Sequence, residues 1–223
     1  HVLVILRKGW RWQQRGGKPQ ALHAPAPSSG RTCTTRIIPI AMDEWNYWHN
    51  DYVYGELGCS YDLADALGVA AGLHEFFRNT DIIRMAHYAQ TVNVIGCIKT
   101  TKTDAFFDTT AYPLMLYRKH FGTKPVAVDF DSTSQNLDVA AALSEDGKTL
   151  TIGVVNPSSE PAKLDFKVDG VDLGKAATQW IVAGTDPRAT NDADNDRIKA
   201  VESAVEFDGD WELPGFSFGI LSI

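Results

Sequence analysis

The stretch Arg36-Ile37-Ile38-Pro39-Ile40-Ala41-Met42-Asp43-Glu44-Trp45-Asn46 decides the expected architecture. Its first part is short, apolar and rich in β-branched residues, and it ends abruptly at the two acidic residues Asp43 and Glu44. An apolar run of this length is typical of a strand that is buried on both faces of a parallel sheet. Pro39 is the residue that disfavours a strand here. We therefore expect a buried parallel strand with acidic side chains at its carboxyl end.

The residues that follow alternate between helix and strand patterns. Asp62 is placed to cap a helix whose apolar residues recur at helical spacing as far as about Asn79. A second strand-like run lies within residues 85–95, and a second helical pattern follows Asp108 and is closed by Gly122. Strand, helix, strand and helix with crossovers of this length predict two successive β/α units of a parallel architecture.

From about residue 125 onward the pattern changes to short strands. Asp146-Gly147 is a strong hairpin-turn signal between two apolar runs. Strand patterns lie at residues 137–143, 149–155, 162–168, 178–182 and 216–223. The sequence therefore predicts an antiparallel β-sandwich over residues 125–223, after a parallel β/α region over residues 37–124.

Residues 1–36 form a basic leader that precedes these two regions. Residues 1–42 contain seven basic residues and no acidic residue, although the whole chain has a net charge of -7. Such an arm can bind nucleic acid, but the stretch has little periodicity, so we expect an irregular segment and no nucleic-acid partner.

The chain has no long apolar run or signal-peptide pattern, and its three cysteines lack metal-ligand spacing. We expect a soluble, cytoplasmic protein that binds no membrane.

The segment Asp43-Glu44-Trp45-Asn46 is the strongest candidate for chemistry. Catalytic groups of barrel enzymes gather at the carboxyl ends of strands. Its carboxylates stand beside aromatic residues that suit sugar rings, and His49 is a further candidate for the same pocket. The alternatives are an ordinary strand-end loop and a solvated histidine.

The same segment, followed by Trp48, resembles the motif at the end of the seventh barrel strand in family 51 α-L-arabinofuranosidases. Further similarity to this family lies at Asn79-Thr80-Asp81, at Ala86 to Ile95, at Thr109 to Pro113, at Thr151 to Asn156 and at Leu213 to Ser217. The resemblance spans about residues 37–223. It implies an α/β plus all-β fold, in which the last two β/α units of a (β/α)8 barrel precede the antiparallel β-sandwich.

The resemblance also implies a function. Glu44 takes the position of the catalytic nucleophile, and Gln90, Trp48 and Asn46 take substrate-binding positions. The implied enzyme is a retaining hydrolase that releases terminal α-L-arabinofuranosyl residues from oligosaccharides or polysaccharides, with no metal or other cofactor. The family also implies a homo-oligomer for the full-length parent.

One catalytic group has no counterpart in the chain. A retaining glycosidase needs a second carboxyl group as acid and base. In this family that group belongs to an Asn-Glu pair, and the sequence contains no Asn-Glu dipeptide. We therefore expect a fragment that is inactive alone.

Two alternative functions stay open at this point. The motif is also compatible with a family relative that acts on xylosides or β-glucans, or with a non-catalytic carbohydrate-binding or assembly module.

Asp192, Asp194 and Asp196 alternate as in calcium loops, but Arg197 and Ser203 stand where an EF-hand needs Gly and Glu. A solvated acidic loop is the preferred interpretation of that stretch.

Overall fold

A computed structural model describes residues 2–7, 38–49, 58–130, 136–168 and 173–223. Within these ranges the elements are, in chain order, β1 (Val2–Arg7), β2 (Ile40–Trp45), α1 (Leu63–Arg78), β3 (Ile83–Tyr88), β4 (Ile98–Thr100), β5 (Ala105–Phe107), α2 (Ala111–His120), β6 (Lys124–Phe130), β7 (Asp138–Leu143), β8 (Leu150–Asn156), β9 (Ala162–Val168), β10 (Ala176–Ala183), β11 (Ala200–Glu206), β12 (Asp210–Leu213) and β13 (Ser217–Ser222). No helix in the described ranges is long and apolar enough to cross a membrane.

The strands β2 and β3 pair in parallel and are connected through α1. Ile40 is paired with Ile83 and Trp45 with Tyr88, with register shifts between them. The predicted parallel strand is thus present, but it begins after Pro39 and includes the acidic residues at its end. The expectation that it is buried on both faces is wrong for this chain, because all its residues are exposed or half-buried where no further described strand covers them. A parallel pair needs a crossover connection, which α1 supplies.

The helix α1 begins and ends where the sequence predicts. The Asp62 carboxylate accepts a hydrogen bond from the Asp65 backbone N–H at 3.1 Å, and the Asp65 carboxylate accepts one from the Asp62 N–H at 3.0 Å. This reciprocal capping box satisfies two N–H groups that a helix start otherwise leaves unpaired. Asn79 is the last capping residue, as expected.

The second strand differs from its prediction. It covers Ile83–Tyr88, whereas the apolar residues 92–95 form a loop with a single bridge from Val92 to Ile98. Asn93 and Val94 have φ values of 53° and 49°, in the left-handed region that no strand contains. The apolar run is therefore a turn, in which Ile95 is buried and Val92 is exposed, and not an extended strand.

The C-terminal half forms a large sheet. Nine of the described strands follow the order β11-β10-β13-β8-β7-β6-β1-β9-β12. The predicted hairpin joins β7 to β8, and Gly147 in its turn has a φ of 72°, which glycine adopts at no steric cost. The alternating strand is β9, Ala162–Val168, at the predicted residues.

The two ends of this sheet fold over one another and enclose a core. The Trp211 indole N–H on β12 donates to the Gln179 side-chain oxygen on β10 at 2.7 Å. A Cβ at Gly219 would lie 3.2 Å from the Trp211 ring, so β13 passes directly beneath it. The buried apolar side chains of both layers meet there, as in a sandwich.

The expectation of an irregular leader is wrong for residues 2–7. This segment is β1, which lies antiparallel to β6 and parallel to β9 and completes the sheet between them. Val2 to Leu6 is an unbroken apolar, β-branched run that favours a strand, and the backbone groups of both neighbouring strands gain partners there. Residues 8–37 lie outside the described residues.

A buried polar cluster joins α1 and α2 to the sheet. His74 is fully buried, and its two ring nitrogens contact the Asp138 carboxylate and the Tyr117 hydroxyl. Arg78 donates to the same carboxylate at 2.6 Å. A Cβ at Gly153 would lie 2.7 Å from His74 Nε2, so glycine makes room for this contact. The cluster holds the helices against the sheet.

Candidate active site

The predicted nucleophile lies at the carboxyl end of the parallel strand pair. Glu44 is exposed and is the second-last residue of β2. β3 ends at Tyr88, which is paired with Trp45, so Gln90 follows the neighbouring strand by two residues. Glu44 and Gln90 therefore lie at the same edge of the sheet, as the carboxyl ends of parallel strands do.

The side chain of Trp45 packs on the helix side of this segment. Its ring lies edge-on to Phe76 of α1, with a centroid distance of 5.0 Å, and edge-on to Tyr88, at 5.4 Å. A Cβ at Gly72 would lie 3.4 Å from the Trp45 ring, so α1 approaches the indole closely at this position. Trp45 thus anchors the end of β2 to α1.

Tyr47 and His49 are anchored to the same helix. A Cβ at Gly68 would lie only 2.0 Å from the Tyr47 hydroxyl oxygen, so the absence of a side chain at position 68 admits that hydroxyl. His49 Nε2 lies 3.0 Å from the Asp65 carboxylate, one turn nearer the start of α1. Asp65 therefore serves both the capping box and this anchor.

These anchors decide which side chains face away from the helix. Successive side chains of an extended chain point to opposite sides. Because Trp45 packs on α1, its neighbour Glu44 in β2 lies on the other face of the strand. Glu44 and Trp48 are both exposed, and Trp48 retains 63% of its accessible surface. An exposed carboxylate with an exposed aromatic ring four residues away suits a sugar ligand.

Asn46 connects the two strand ends. Its amide nitrogen donates to the Ala89 carbonyl oxygen at 2.8 Å and also to that of Ile95, and its side-chain oxygen accepts from the Tyr47 N–H at 2.6 Å. Both donors of the amide are engaged inside the protein. This geometry favours a role for Asn46 in positioning the loop between Ala89 and Ile95.

Gln90 lies in that loop and is exposed. Its amide nitrogen donates to the carbonyl oxygens of Val92, at 3.0 Å, and Asn93, at 3.3 Å. The Asn93 side chain in turn bonds to Thr100. The loop holds the Gln90 side chain at the edge where Glu44 also lies.

A buried polar group beneath the loop was not predicted. Lys99 and Asp108 are almost fully buried, with 3.8 Å between the Lys99 ammonium and the Asp108 carboxylate. Burial raises the pKa of Asp108 to about 6, although hydrogen bonds from the Thr109 and Tyr61 N–H groups oppose this. Burial likewise lowers the pKa of Lys99. Neither residue stands in a spacing that marks a site, so the sequence offered no signal for the pair.

The acidic loop that alternates like a calcium loop bonds largely to its own chain. The Asp192 carboxylate accepts from the Asp194 N–H at 2.9 Å, and Asp196 accepts from the Tyr112 hydroxyl at 2.5 Å. Across the described part of the chain, no group of three His, Cys, Asp or Glu residues could hold a metal ion. Cys59 and Cys97 are free thiols.

Comparison with known proteins gives consistent similarities. Residues 43–217 match the family model of the α-L-arabinofuranosidase C-terminal domain. A probable α-L-arabinofuranosidase C of Aspergillus clavatus is 34% identical over 206 residues, which cover 84% of this chain and 40% of that protein. The family 51 α-L-arabinofuranosidase of Thermotoga petrophila superposes with a TM-score of 0.74 at 29% identity, over 83% of this chain and 43% of that one.

The α-L-arabinofuranosidase of Thermotoga maritima, solved as an arabinose complex, gives a TM-score of 0.73 at 29% identity and covers the same shares of the two chains. The chain therefore spans about 40% of the length of the relatives that it matches.

Proposed function

The chain belongs to the α-L-arabinofuranosidases of glycoside hydrolase family 51 and corresponds to their C-terminal portion, and from this we propose that it carries the nucleophile of a retaining arabinofuranosidase. The proposed substrate is a terminal α-L-arabinofuranosyl group on an arabinose-containing oligosaccharide or polysaccharide. Self-association of the full-length parent is part of the same proposal.

The position of Glu44 carries the proposal. It lies at the carboxyl edge of a parallel strand pair, on the face of β2 opposite Trp45, whose ring packs against α1. We interpret β2, α1 and β3 with α2 as the last two β/α units of a (β/α)8 barrel, whose catalytic groups gather at this edge. Exposed Trp48 and Gln90 supply sugar contacts beside it.

The proposed reaction has two steps. In the first step, the Glu44 carboxylate attacks the anomeric carbon and the bond to the leaving oxygen breaks, while a second carboxyl group protonates that oxygen. In the second step, the same carboxyl group, now a carboxylate, removes a proton from water. The water oxygen attacks the anomeric carbon of the glycosyl-enzyme, which releases arabinose and restores Glu44. The two carboxyl groups must be about 5 Å apart.

The second carboxyl group is proposed to come from polypeptide outside these 223 residues. The chain has no Asn-Glu dipeptide, and a full barrel takes about 250 residues. The parallel pair β2–β3 also exposes Ile40 and Met85, which further strands of a barrel would cover. The chain by itself is therefore proposed to be inactive.

A chimera tests the assignment. Residues 38–223 would replace the corresponding C-terminal part of the Thermotoga petrophila enzyme, and hydrolysis of an aryl α-L-arabinofuranoside would be measured. We expect activity in the chimera and a fall of about three orders of magnitude or more with Glu44→Gln. The matched control is Glu206→Gln, at an exposed site on β11, which should leave activity unchanged.

Three results would contradict the proposal. The nucleophile assignment fails if the chimera is inactive or if Glu44→Gln retains the activity of the Glu206→Gln control. The proposed sugar specificity fails if the chimera prefers aryl xylosides. The inactive-chain proposal fails if the 223-residue chain alone turns over the substrate in a manner that Glu44→Gln abolishes.

A further inference from the structure

Tyr61 lies where the two segments of the candidate site meet. It is fully buried, and its hydroxyl oxygen lies 2.8 Å from the carbonyl oxygen of Tyr47 and 3.3 Å from that of Ile95. Tyr47 belongs to the segment that begins with Glu44. Ile95 is the last residue of the loop formed by residues 89–95, which carries Gln90 and is called the Gln90 loop. The single hydroxyl proton is therefore shared between the two segments as a three-centre hydrogen bond, with its shorter arm to Tyr47.

Tyr61 is itself held from two directions. Its backbone N–H donates to the Asp108 carboxylate oxygens, at 3.1 and 3.3 Å. The Lys99 ammonium lies 5.3 Å from the centre of the Tyr61 ring and donates to the Val94 carbonyl oxygen at 3.3 Å. The buried ion pair thus fixes the backbone of Tyr61 and, beside it, the end of the Gln90 loop.

Packing alone does not require these polar groups. A buried hydroxyl or ion pair costs free energy unless its hydrogen bonds are made, and a phenylalanine would fill the same space beside Cys59 and Ile95. What the hydroxyl adds is a fixed separation between two backbone segments. Reacting groups misplaced by about 1 Å can lose about a hundredfold in rate.

From this arrangement we propose that Tyr61 is a positioning residue, which sets the Gln90 loop against the segment of Glu44 through its hydroxyl group. The proposal rests on the proposed function for its catalytic consequence. Its structural part, the restraint of residues 90–98 by one hydroxyl, is independent of any activity.

Hydrogen exchange in the 223-residue chain tests the restraint. Tyr61→Phe should accelerate exchange of backbone amides in residues 90–98 about tenfold, since one hydrogen bond is lost. Tyr117→Phe is the matched control, because it removes another buried tyrosine hydroxyl, the one bonded to His74. Unchanged exchange in residues 90–98, or equal acceleration in both variants, would overturn the proposal.

The chimera with the Thermotoga petrophila enzyme tests the catalytic consequence. Tyr61→Phe should lower kcat about tenfold with a smaller change in KM, because alignment of Glu44 with the bound sugar is lost. Tyr117→Phe should stay within about twofold of the parent in both constants. A kcat for Tyr61→Phe equal to that of Tyr117→Phe would overturn the catalytic role. An inactive parent chimera would instead refute the proposed function and leave the exchange result to decide the restraint.

Discussion

The side-chain amide of Asn46 donates to the carbonyl oxygen of Ala89 at 2.8 Å, which ties the strand end that bears Glu44 to the residue before Gln90. The two residues are 43 positions apart in the chain. The same amide nitrogen also donates to the Ile95 carbonyl oxygen, so both ends of the Gln90 loop are held by one side chain.

Asn46→Asp should destabilise the chain by about 2 kcal/mol or more, because two donors are lost and a carboxylate faces two carbonyl oxygens. Urea unfolding of both proteins measures the difference. The exposed Asn136→Asp is the control for the added charge. Equal midpoints for the two variants would show that the Asn46 amide does not hold the loop.

Gly68→Ala should cost about 1–3 kcal/mol of stability, because its Cβ would lie 2.0 Å from the Tyr47 hydroxyl oxygen. Combining it with Tyr47→Phe should recover part of the loss, since the nearest remaining ring atom is then 3.0 Å away. Gly72→Ala on the same helix face is the control. Its Cβ makes an ordinary 3.4 Å contact, and helix propensity favours alanine by up to about 1 kcal/mol. If thermal unfolding gives Gly68→Ala a higher melting temperature than Gly72→Ala, the proposed clash between the methyl group added at position 68 and the Tyr47 hydroxyl group is refuted.

Acid should weaken the cluster around Asp138. Burial alone would raise the pKa of this carboxyl group, but the hydrogen bonds from His74 and Arg78 together lower it to about 2. A depressed folded-state pKa stabilises the protein above the unfolded value of about 4, and this stability is lost as the pH falls toward 2.

Asp138→Asn should therefore lower stability at pH 6 by on the order of 2 kcal/mol and flatten its dependence on pH between about 4 and 2. Urea unfolding as a function of pH makes the measurement. The exposed Asp194→Asn is the control. If Asp138→Asn keeps the acid dependence of the parent, another carboxyl group is responsible for it.

Lys99→Met should destabilise the chain more at pH 8 than at pH 5. Burial raises the pKa of Asp108 to about 6, so its carboxylate is charged at pH 8. Without Lys99 that buried charge has no cation beside it and destabilises the folded protein most at this pH. Breaking one side of a buried pair costs about 3–5 kcal/mol, whereas replacing both residues with apolar ones costs much less.

The double variant Lys99→Met with Asp108→Leu should therefore be more stable than Lys99→Met at pH 8. Unfolding in guanidinium chloride at both pH values measures this. Asp108→Leu alone is measured as well. If the double variant loses as much free energy of unfolding as the two single variants together, coupling between the two charges is excluded.

Local patterns allowed much of the fold to be predicted. The strand Ala162–Val168 is found at the predicted residues because strict alternation of apolar and charged residues specifies both the strand and its buried face. α1 follows its capping signal at Asp62. The strand expected at residues 92–95 is absent because left-handed backbone at Asn93 and Val94 is not encoded in hydrophobicity.

The motif around Glu44 was readable, but its supporting residues were not. Gly68 matters only because the Tyr47 hydroxyl lies against it. The contact of Tyr61 with Asp108 joins residues 47 positions apart, and neither has a distinctive neighbour in the sequence. β1 was missed although Val2 to Leu6 is a strand-like apolar run, because the basic residues that follow it have little periodicity and were grouped with it.

The order of β2, α1, β3 and α2, the start of α1, the β7–β8 hairpin and the family motif at Glu44 follow from neighbouring residues in the sequence. Which face of the Glu44 segment is open, and what holds that segment to the Gln90 loop, depends on the folded chain. Long-range contacts such as Asn46 to Ala89 and Tyr61 to Ile95 depend on chain closure, which local periodicity does not encode.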